Sequence, residues 1–150
     1  MLSDFSPHII AEAICRLEDC RIQVLSERQL VSLFTRIANH PSLKLKVFKT
    51  WNSDLSSLPS DLLAESIPRL RELHLPNAKL TPDQVENIFL RISRSESLLL
   101  HSLSLSHNNL STVSPEVLME AVARLTTVDL SFSNLTSAHL DRHSGALSLV

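Results

Sequence analysis

The chain has 150 residues, enough for one domain with a substantial core, and its hydrophobic content is 43% although aromatic residues make up only 4%. A formal net charge of −2 without long runs of one sign disfavours a nucleic-acid or membrane surface, and no apolar stretch reaches the roughly 18–20 residues that span a bilayer. Only two cysteines occur, and no basic segment followed by an apolar stretch is found at the N-terminus, so we expect a cytoplasmic protein with reduced thiols.

The first predicted element is a helix over residues 6–16. It starts with a Ser-Pro pair at Pro7 that recurs at Pro115, and proline is favoured at the first helical position because an N–H would have no partner there. A degenerate repeat then starts near residue 17. Its Cys20 and Ile22 alternate with polar residues, as in a short strand with one buried face. The chain therefore begins with the helix of a partial repeat.

From residue 45 onward the sequence repeats itself every 55 residues without a gap. Leucine matches leucine at five pairs of positions: Leu55/Leu110, Leu63/Leu118, Leu70/Leu125, Leu75/Leu130 and Leu80/Leu135. Each 55-residue unit divides into a shorter and a longer half with the pattern L-x-x-L-x-L-x-x-N/C-x-L, which gives repeats starting near residues 45, 70, 100 and 125. A fixed period of this kind is typical of stacked repeat proteins. We therefore treat residues 1–150 as a single domain of about five repeats.

Each repeat contains a predicted strand followed by a predicted helix. The alternation Leu103-x-Leu105 has the period of a strand, and the following segments change to helical spacing. Ser26–Gln29 and Thr81–Gln84 fit the capping box that starts a helix, and Pro82 fits the first helical position. Strands lie about 4.8 Å apart whereas packed helices need about 10 Å. The sequence therefore predicts an α/β solenoid with a parallel sheet on its concave face and helices on its convex face.

The repeated pattern resembles the leucine-rich repeat family, specifically its ribonuclease-inhibitor-like class, over residues 7–140. Similar repeats form the sensing ends of nucleotide-binding innate immune receptors. The family places Asn or Cys at a ladder position that bonds the neighbouring turn; Asn108 agrees, whereas Ser53, Ala78 and Ser133 replace it elsewhere. We therefore expect uneven turns. Because Gly145 is the only glycine, we expect the turns to be built from Asn, Ser and Asp.

Neither end of the chain carries a recognisable polar cap. Residues 141–150 do not follow the alignment with the earlier helix at 82–94 and are expected to form an irregular tail. A stacked repeat needs a polar outer face at each end. Two interpretations follow: the chain is a fragment or short member of a larger array, or its uncapped ends associate between molecules.

Alternate strand residues are expected to face solvent on the concave side and to bind a protein partner. The candidate partner-binding residues are Val47, Lys49, Trp51, Glu72, His74, Ser102, Ser104 and Asp129. Trp51 is the only tryptophan, and an exposed Trp is a frequent interface anchor. The alternative is that Trp51 fills the layer left imperfect by Thr50. The serines at 102, 104 and 106 offer hydrogen bonding without charge.

The sequence contains no recognisable catalytic motif or cofactor-binding loop. Three histidines, His74, His101 and His107, occupy different columns of the predicted sheet, so we do not expect them to bind a metal ion together. We therefore expect a non-enzymatic protein-interaction module, and the resemblance implies innate-immune-type recognition. One alternative is an inhibitor or activator of an enzyme such as a GTPase or nuclease, for which Arg21 and Asn108 are available. Another is a structural scaffold fragment of a larger receptor.

Overall fold

The computed structural model describes residues 4–142, which form an α/β fold with six α-helices and a five-stranded parallel sheet. The helices are α1 (Pro7–Cys15), α2 (Glu27–Asn39), α3 (Ser60–Ser66), α4 (Pro82–Arg94), α5 (Pro115–Val122) and α6 (Ser137–Arg142). The strands are β1 (Asp19–Gln23), β2 (Val47–Trp51), β3 (Glu72–His74), β4 (Ser102–Ser104) and β5 (Thr127–Asp129). Each strand begins two residues after a predicted repeat start.

The strands lie in the sheet in the order in which they occur in the chain, and each pairs in parallel with the next. A helix connects each strand to the following one, because parallel neighbours require a crossover connection. The register places Cys20 beside Phe48, then Leu73, Leu103 and Val128. The predicted α/β class and the predicted parallel sheet are confirmed.

One face of the sheet packs against the helices. Phe48, Leu73 and Leu103 point into this core and are almost completely buried. The helices contribute the apolar stripes predicted from their spacing: Leu30, Leu33, Phe34 and Ile37 from α2, and Val85, Ile88, Phe89 and Ile92 from α4. The rings of Phe34 and Phe48 meet edge to face with centroids 5.9 Å apart. The core is therefore a row of similar, mostly aliphatic layers.

Both predicted capping boxes are present. The Oγ of Ser26 accepts from the N–H of Gln29 at 3.2 Å, while the Oε1 of Gln29 accepts from the N–H of Ser26 at 3.0 Å. Thr81 and Gln84 make the same pair of bonds at 2.9 and 3.2 Å. Gln84 also donates from Nε2 to the carbonyl of Leu58 in the preceding repeat, at 2.8 Å. Each cap thus starts its helix and joins it to the previous layer.

Asn108 joins two neighbouring turns. Its Oδ1 accepts from the N–H groups of Ala78 and Leu80 at 3.1 and 3.3 Å. Its Nδ2 donates to the carbonyls of Leu75 and Leu105 at 2.8 and 3.1 Å. This one amide therefore satisfies backbone groups on both sides of the boundary between two repeats.

The other ladder positions make fewer bonds. Ser53 accepts from the N–H of Leu25 at 3.0 Å. The hydroxyl of Ser133 donates to the carbonyl of Leu130 within its own turn. Ala78 contributes only its backbone, whose carbonyl accepts from the N–H of Leu55 at 2.9 Å. The turns are uneven, as the sequence predicts.

A left-handed residue follows the strand at the same position of every repeat. These residues are Val24, Asn52, Asn77, His107 and Phe132, with φ between 44° and 60°. Asparagine tolerates this conformation, whereas valine and phenylalanine do so at a steric cost. The prediction that Asn, Ser and Asp build the turns is therefore correct at two of these positions and wrong at Val24, His107 and Phe132.

The element boundaries follow the predicted ones closely. Helix α1 lies within the predicted range 6–16, and Pro82 and Pro115 are the first residues of α4 and α5. The predicted irregular tail at 141–150 overlaps α6, which continues to Arg142. The rest of that tail, residues 143–150, lies outside the described residues. None of the helices within residues 4–142 is both long enough and apolar enough to cross a bilayer.

Both cysteines are buried free thiols. Burial, with smaller contributions from Asp19 and Cys15, raises the pKa of Cys20 to about 11. Burial also raises the pKa of Cys15, against the opposing charge of Arg36. A thiol that keeps its proton is a poor nucleophile and a poor metal ligand, so these two side chains serve as core residues.

Candidate functional site

The candidate site is the sheet face opposite the helices, here called the open face. It consists of the strand side chains that alternate with the core residues: Asp19, Arg21, Gln23, Val47, Lys49, Trp51, Glu72, His74, Ser102, Ser104, Thr127 and Asp129. The register aligns Val47 with Glu72 and then Ser102 in one row. A second row aligns Lys49 with His74, Ser104 and Asp129. Seven of the eight predicted partner-binding residues thus lie in these two rows, with Trp51 one step further along β2.

Two ion pairs order the charged part of the open face. The Nζ of Lys49 lies 3.5 Å from the Oε2 of Glu72 on the adjacent strand, and both side chains are more than two-thirds buried. Arg21 and Asp19 form a second pair on β1, with two N···O distances of 3.2 Å. The first pair lies across two strands and holds both side chains in fixed positions. The second is solvent-exposed and contributes little to stability.

Trp51 lies at the end of β2, in register with Gln23, and its exposed fraction is 39%. The neighbouring Thr50 is almost fully buried, and its hydroxyl lies 2.8 Å from the hydroxyl of Ser53. This polar pair satisfies the Thr50 hydroxyl on the core side of the strand. Trp51 belongs to the opposite face, where its partly exposed indole is available for contact.

His74 lies near the centre of the open face. Its Nε2 is 3.3 Å from the Oγ of Ser102. Burial lowers the pKa of His74, and the charge of Lys49 lowers it further, while Glu72 and Asp129 act in the opposite direction. The neutral imidazole is therefore favoured in the folded state.

We expect the stability of the protein to decrease as the pH falls below about 6.5, the ordinary pKa of His in an unfolded chain. Between that value and the lowered pKa of folded His74, the unfolded chain binds a proton that the folded chain does not, so stability rises with pH across this window. The His74→Gln variant should lose less stability between pH 7.5 and pH 5. Urea unfolding of both proteins at the two pH values measures the difference, and parallel losses would contradict this assignment.

The expectation that Ser102, Ser104 and Ser106 face solvent is wrong. All three are buried, with exposed fractions of 6–7%. A serine side chain is short, and the longer side chain of His74 on the adjacent strand lies beside Ser102 and Ser104. The middle of the open face is therefore lined by small side chains between taller neighbours.

An aromatic pair at the rim of the sheet was not predicted from the sequence. His107 and Phe132 follow β4 and β5 in equivalent positions, and their rings stack with centroids 4.7 Å apart. Phe132 is 64% exposed. The sequence signal that could have revealed this pair is the position of its two residues in the repeat, which Asn52 and Asn77 occupy in the preceding repeats.

Within residues 4–142, no group of three or more His, Cys, Asp or Glu side chains has an arrangement that would hold a metal ion. Comparisons with known proteins give no match to a family model, to a curated protein or to a solved structure.

Proposed function

We propose that this chain is a leucine-rich repeat solenoid of the ribonuclease-inhibitor-like type that binds a protein partner through its open face. Five parallel strands in sequential order, joined by helices at a 55-residue double period, support the solenoid architecture. The unbridged cysteines fit a reducing compartment such as the cytoplasm. The proposal includes innate-immune-type recognition of the partner, and this part rests only on the resemblance of the repeats to those of nucleotide-binding innate immune receptors.

The observation that carries the proposal is the ordered cluster formed by Glu72, Lys49 and His74 beside Trp51. The three polar side chains are partly buried: Lys49 and Glu72 form an ion pair, and His74 contacts the hydroxyl of Ser102. Side chains that are already fixed lose little rotamer entropy when a partner binds. A Trp flanked by such groups is the usual composition of an interface hot spot and its rim.

The test compares Trp51 with an equally exposed apolar residue on the helix side. A binding protein is selected from a display library against the folded chain, and its affinity is measured by calorimetry. We expect Trp51→Ala to weaken binding about 30-fold or more, the effect of a hot-spot residue worth about 2 kcal/mol. The control is Met119→Ala on α5, because Met119 is 41% exposed and Trp51 39%. Met119→Ala should leave the affinity unchanged.

Two other results would have different consequences. Unchanged affinity of Trp51→Ala, with loss in Lys49→Glu or Asp129→Lys, would remove Trp51 from the site but leave the open face as the binding surface. Selected binders that tolerate all three substitutions would refute the open face as the functional site.

A further inference from the structure

The free edge of β1 has the features of a binding site for a further β-strand. β1 pairs with β2 on one side and is the outermost strand of the sheet. Helices α3 and α5 each follow a strand of their own, β2 and β4, whereas no strand precedes their counterpart α1 in the described part of the chain. We propose that the β1 edge binds an extended segment of a partner chain as a sixth parallel strand, one that carries the pattern Leu-x-x-Leu-x-Leu.

The equivalence of α1 with α3 and α5 rests on hydrogen bonds as well as on sequence. The residue two places before α3 is Leu58, and its carbonyl accepts from Gln84 Nε2. The residues in the same place before α5 and α1 are Val113 and Phe5. The carbonyl of Val113 lies 2.6 Å from His139 Nε2, and that of Phe5 accepts from Gln29 Nε2 at 3.1 Å. The loop before α1 is therefore built like the two loops that follow a strand.

Side chains around the β1 edge are exposed although their counterparts inside the sheet are buried. Leu17 is 48% exposed, whereas the equivalent Leu45 and Leu100 are at 1% and 2%. Phe5 is 55% exposed, whereas the equivalent Leu58 is at 4%. In the interior of the sheet, a neighbouring strand with its leucines completes each layer. The same kind of strand would cover Leu17 and Phe5.

The backbone of β1 presents hydrogen-bonding groups at the same edge. Core-facing residues donate to the following strand, as Leu75 does to the carbonyl of Ser104 at 2.9 Å and Leu105 to that of Asp129 at 3.0 Å. In a parallel sheet, alternate residues bond to opposite neighbours. The N–H groups of Arg21 and Gln23 are therefore directed away from β2. An edge of this kind binds an extended chain by strand addition, with main-chain bonds for affinity and alternate side chains for specificity.

The occupant is identified by the strands that fill the equivalent place. The added strand would lie beside β1, with α1 as the next helix in space. In the same way, β4 lies beside β5 and is followed by α5, so β4 is the model for the added strand. Residues 100–105 of that segment read Leu-His-Ser-Leu-Ser-Leu, and its three leucines are at least 98% buried. An extended aliphatic segment of this pattern supplies both the missing layer of leucines and the backbone partners. A helix would supply no free backbone partners, because its N–H and C=O groups bond to one another, and a charged peptide would supply no apolar layer.

The experiment uses a fluorescently labelled peptide with the sequence of residues 99–106, Leu-Leu-His-Ser-Leu-Ser-Leu-Ser, added to the intact protein. We expect saturable binding by anisotropy and at least tenfold weaker binding of a peptide in which the leucines corresponding to Leu103 and Leu105 are Asn. Hydrogen exchange should slow at the amides of Arg21 and Gln23, and remain unchanged at Val128, the core-facing residue of β5, whose N–H is directed to the opposite edge of the sheet.

Matched variants distinguish binding of the peptide at the β1 edge from nonspecific hydrophobic binding elsewhere on the protein. Leu17→Glu should abolish binding, while Leu99→Glu, which changes an equally exposed leucine elsewhere, should not. Arg21→Pro removes an edge N–H and should weaken binding, whereas Arg21→Ala retains that N–H and should not; circular dichroism verifies that each variant is folded.

Equal binding of the two peptides, or no binding of either, would overturn the proposal. So would slow exchange at Arg21 and Gln23 in the protein alone together with a dimer in sedimentation, because the edge would then be occupied by a second copy of the chain.

Discussion

Replacing Asn108 with alanine is expected to lower the free energy of unfolding by about 4 kcal/mol, because each buried polar group left without a partner costs about 1–3 kcal/mol. The substitution removes an acceptor from the N–H groups of Ala78 and Leu80 and a donor from the carbonyl of Leu75. Asn108 is only 3% exposed, so water does not replace the lost bonds readily. Urea unfolding followed by circular dichroism measures the change.

The adjacent residue is the control. Asn109 accepts from the N–H and the hydroxyl of Ser111 at 3.0 and 2.7 Å, but these bonds are local and exposed. Asn109→Ala should therefore cost less than about 1 kcal/mol. Asn108→Asp keeps the acceptor but turns a buried carboxylate oxygen toward the carbonyls of Leu75 and Leu105, so it should also be destabilising. Similar losses for both alanine variants would show that Asn108 does not join the repeats energetically.

The parts of the fold that follow from local chemistry could be predicted from the sequence. The 55-residue period places β2, β3, β4 and β5 two residues after a repeat start, because the same leucines must occupy the same layer in each repeat. The capping boxes at Ser26 and Thr81 were predictable because a hydroxyl and a Gln three residues apart have one dominant way to satisfy the first amides of a helix. Both features depend on residues that are close in the chain.

The parts that depend on neighbouring strands could not be predicted. Ser104 was expected to be exposed because it alternates with leucines, yet its burial depends on what lies beside it in β3 and β5, namely His74 and Asp129. The left-handed conformations of Val24 and Phe132 are likewise imposed by the tertiary turn, against the preference of these residue types. The composition of the open face was therefore predictable, whereas the exposure of its side chains was not.

The buried Gln84 is expected to contribute almost as much stability as Asn108. Its Nε2 donates to the carbonyls of Leu55 and Leu58 at 2.6 and 2.8 Å, and its Oε1 accepts from the N–H of Thr81. Gln84→Ala leaves the carbonyl of Leu58 and the N–H of Thr81 unpaired in a site that is 99% buried, while the carbonyl of Leu55 keeps its bond from the N–H of Leu58 at 3.0 Å. We therefore expect a loss of about 3 kcal/mol in urea unfolding. Gln84→Glu keeps the size and the acceptor of the side chain but not the donor, and it should also be destabilising.

The control comes from the equivalent position 55 residues further along, where His139 replaces the glutamine. The N–H of Thr136 can only donate, so the His139 Nδ1 at 3.1 Å is the acceptor; the Nε2, 2.6 Å from the carbonyl of Val113, carries the proton. The imidazole thus offers the same acceptor and donor as the amide of Gln84. His139→Gln should therefore change stability by less than about 1 kcal/mol, while His139→Ala should cost about 2 kcal/mol. If glutamine at 139 is as damaging as alanine, the two side chains are not interchangeable caps, and this helix start is built differently from that of α4.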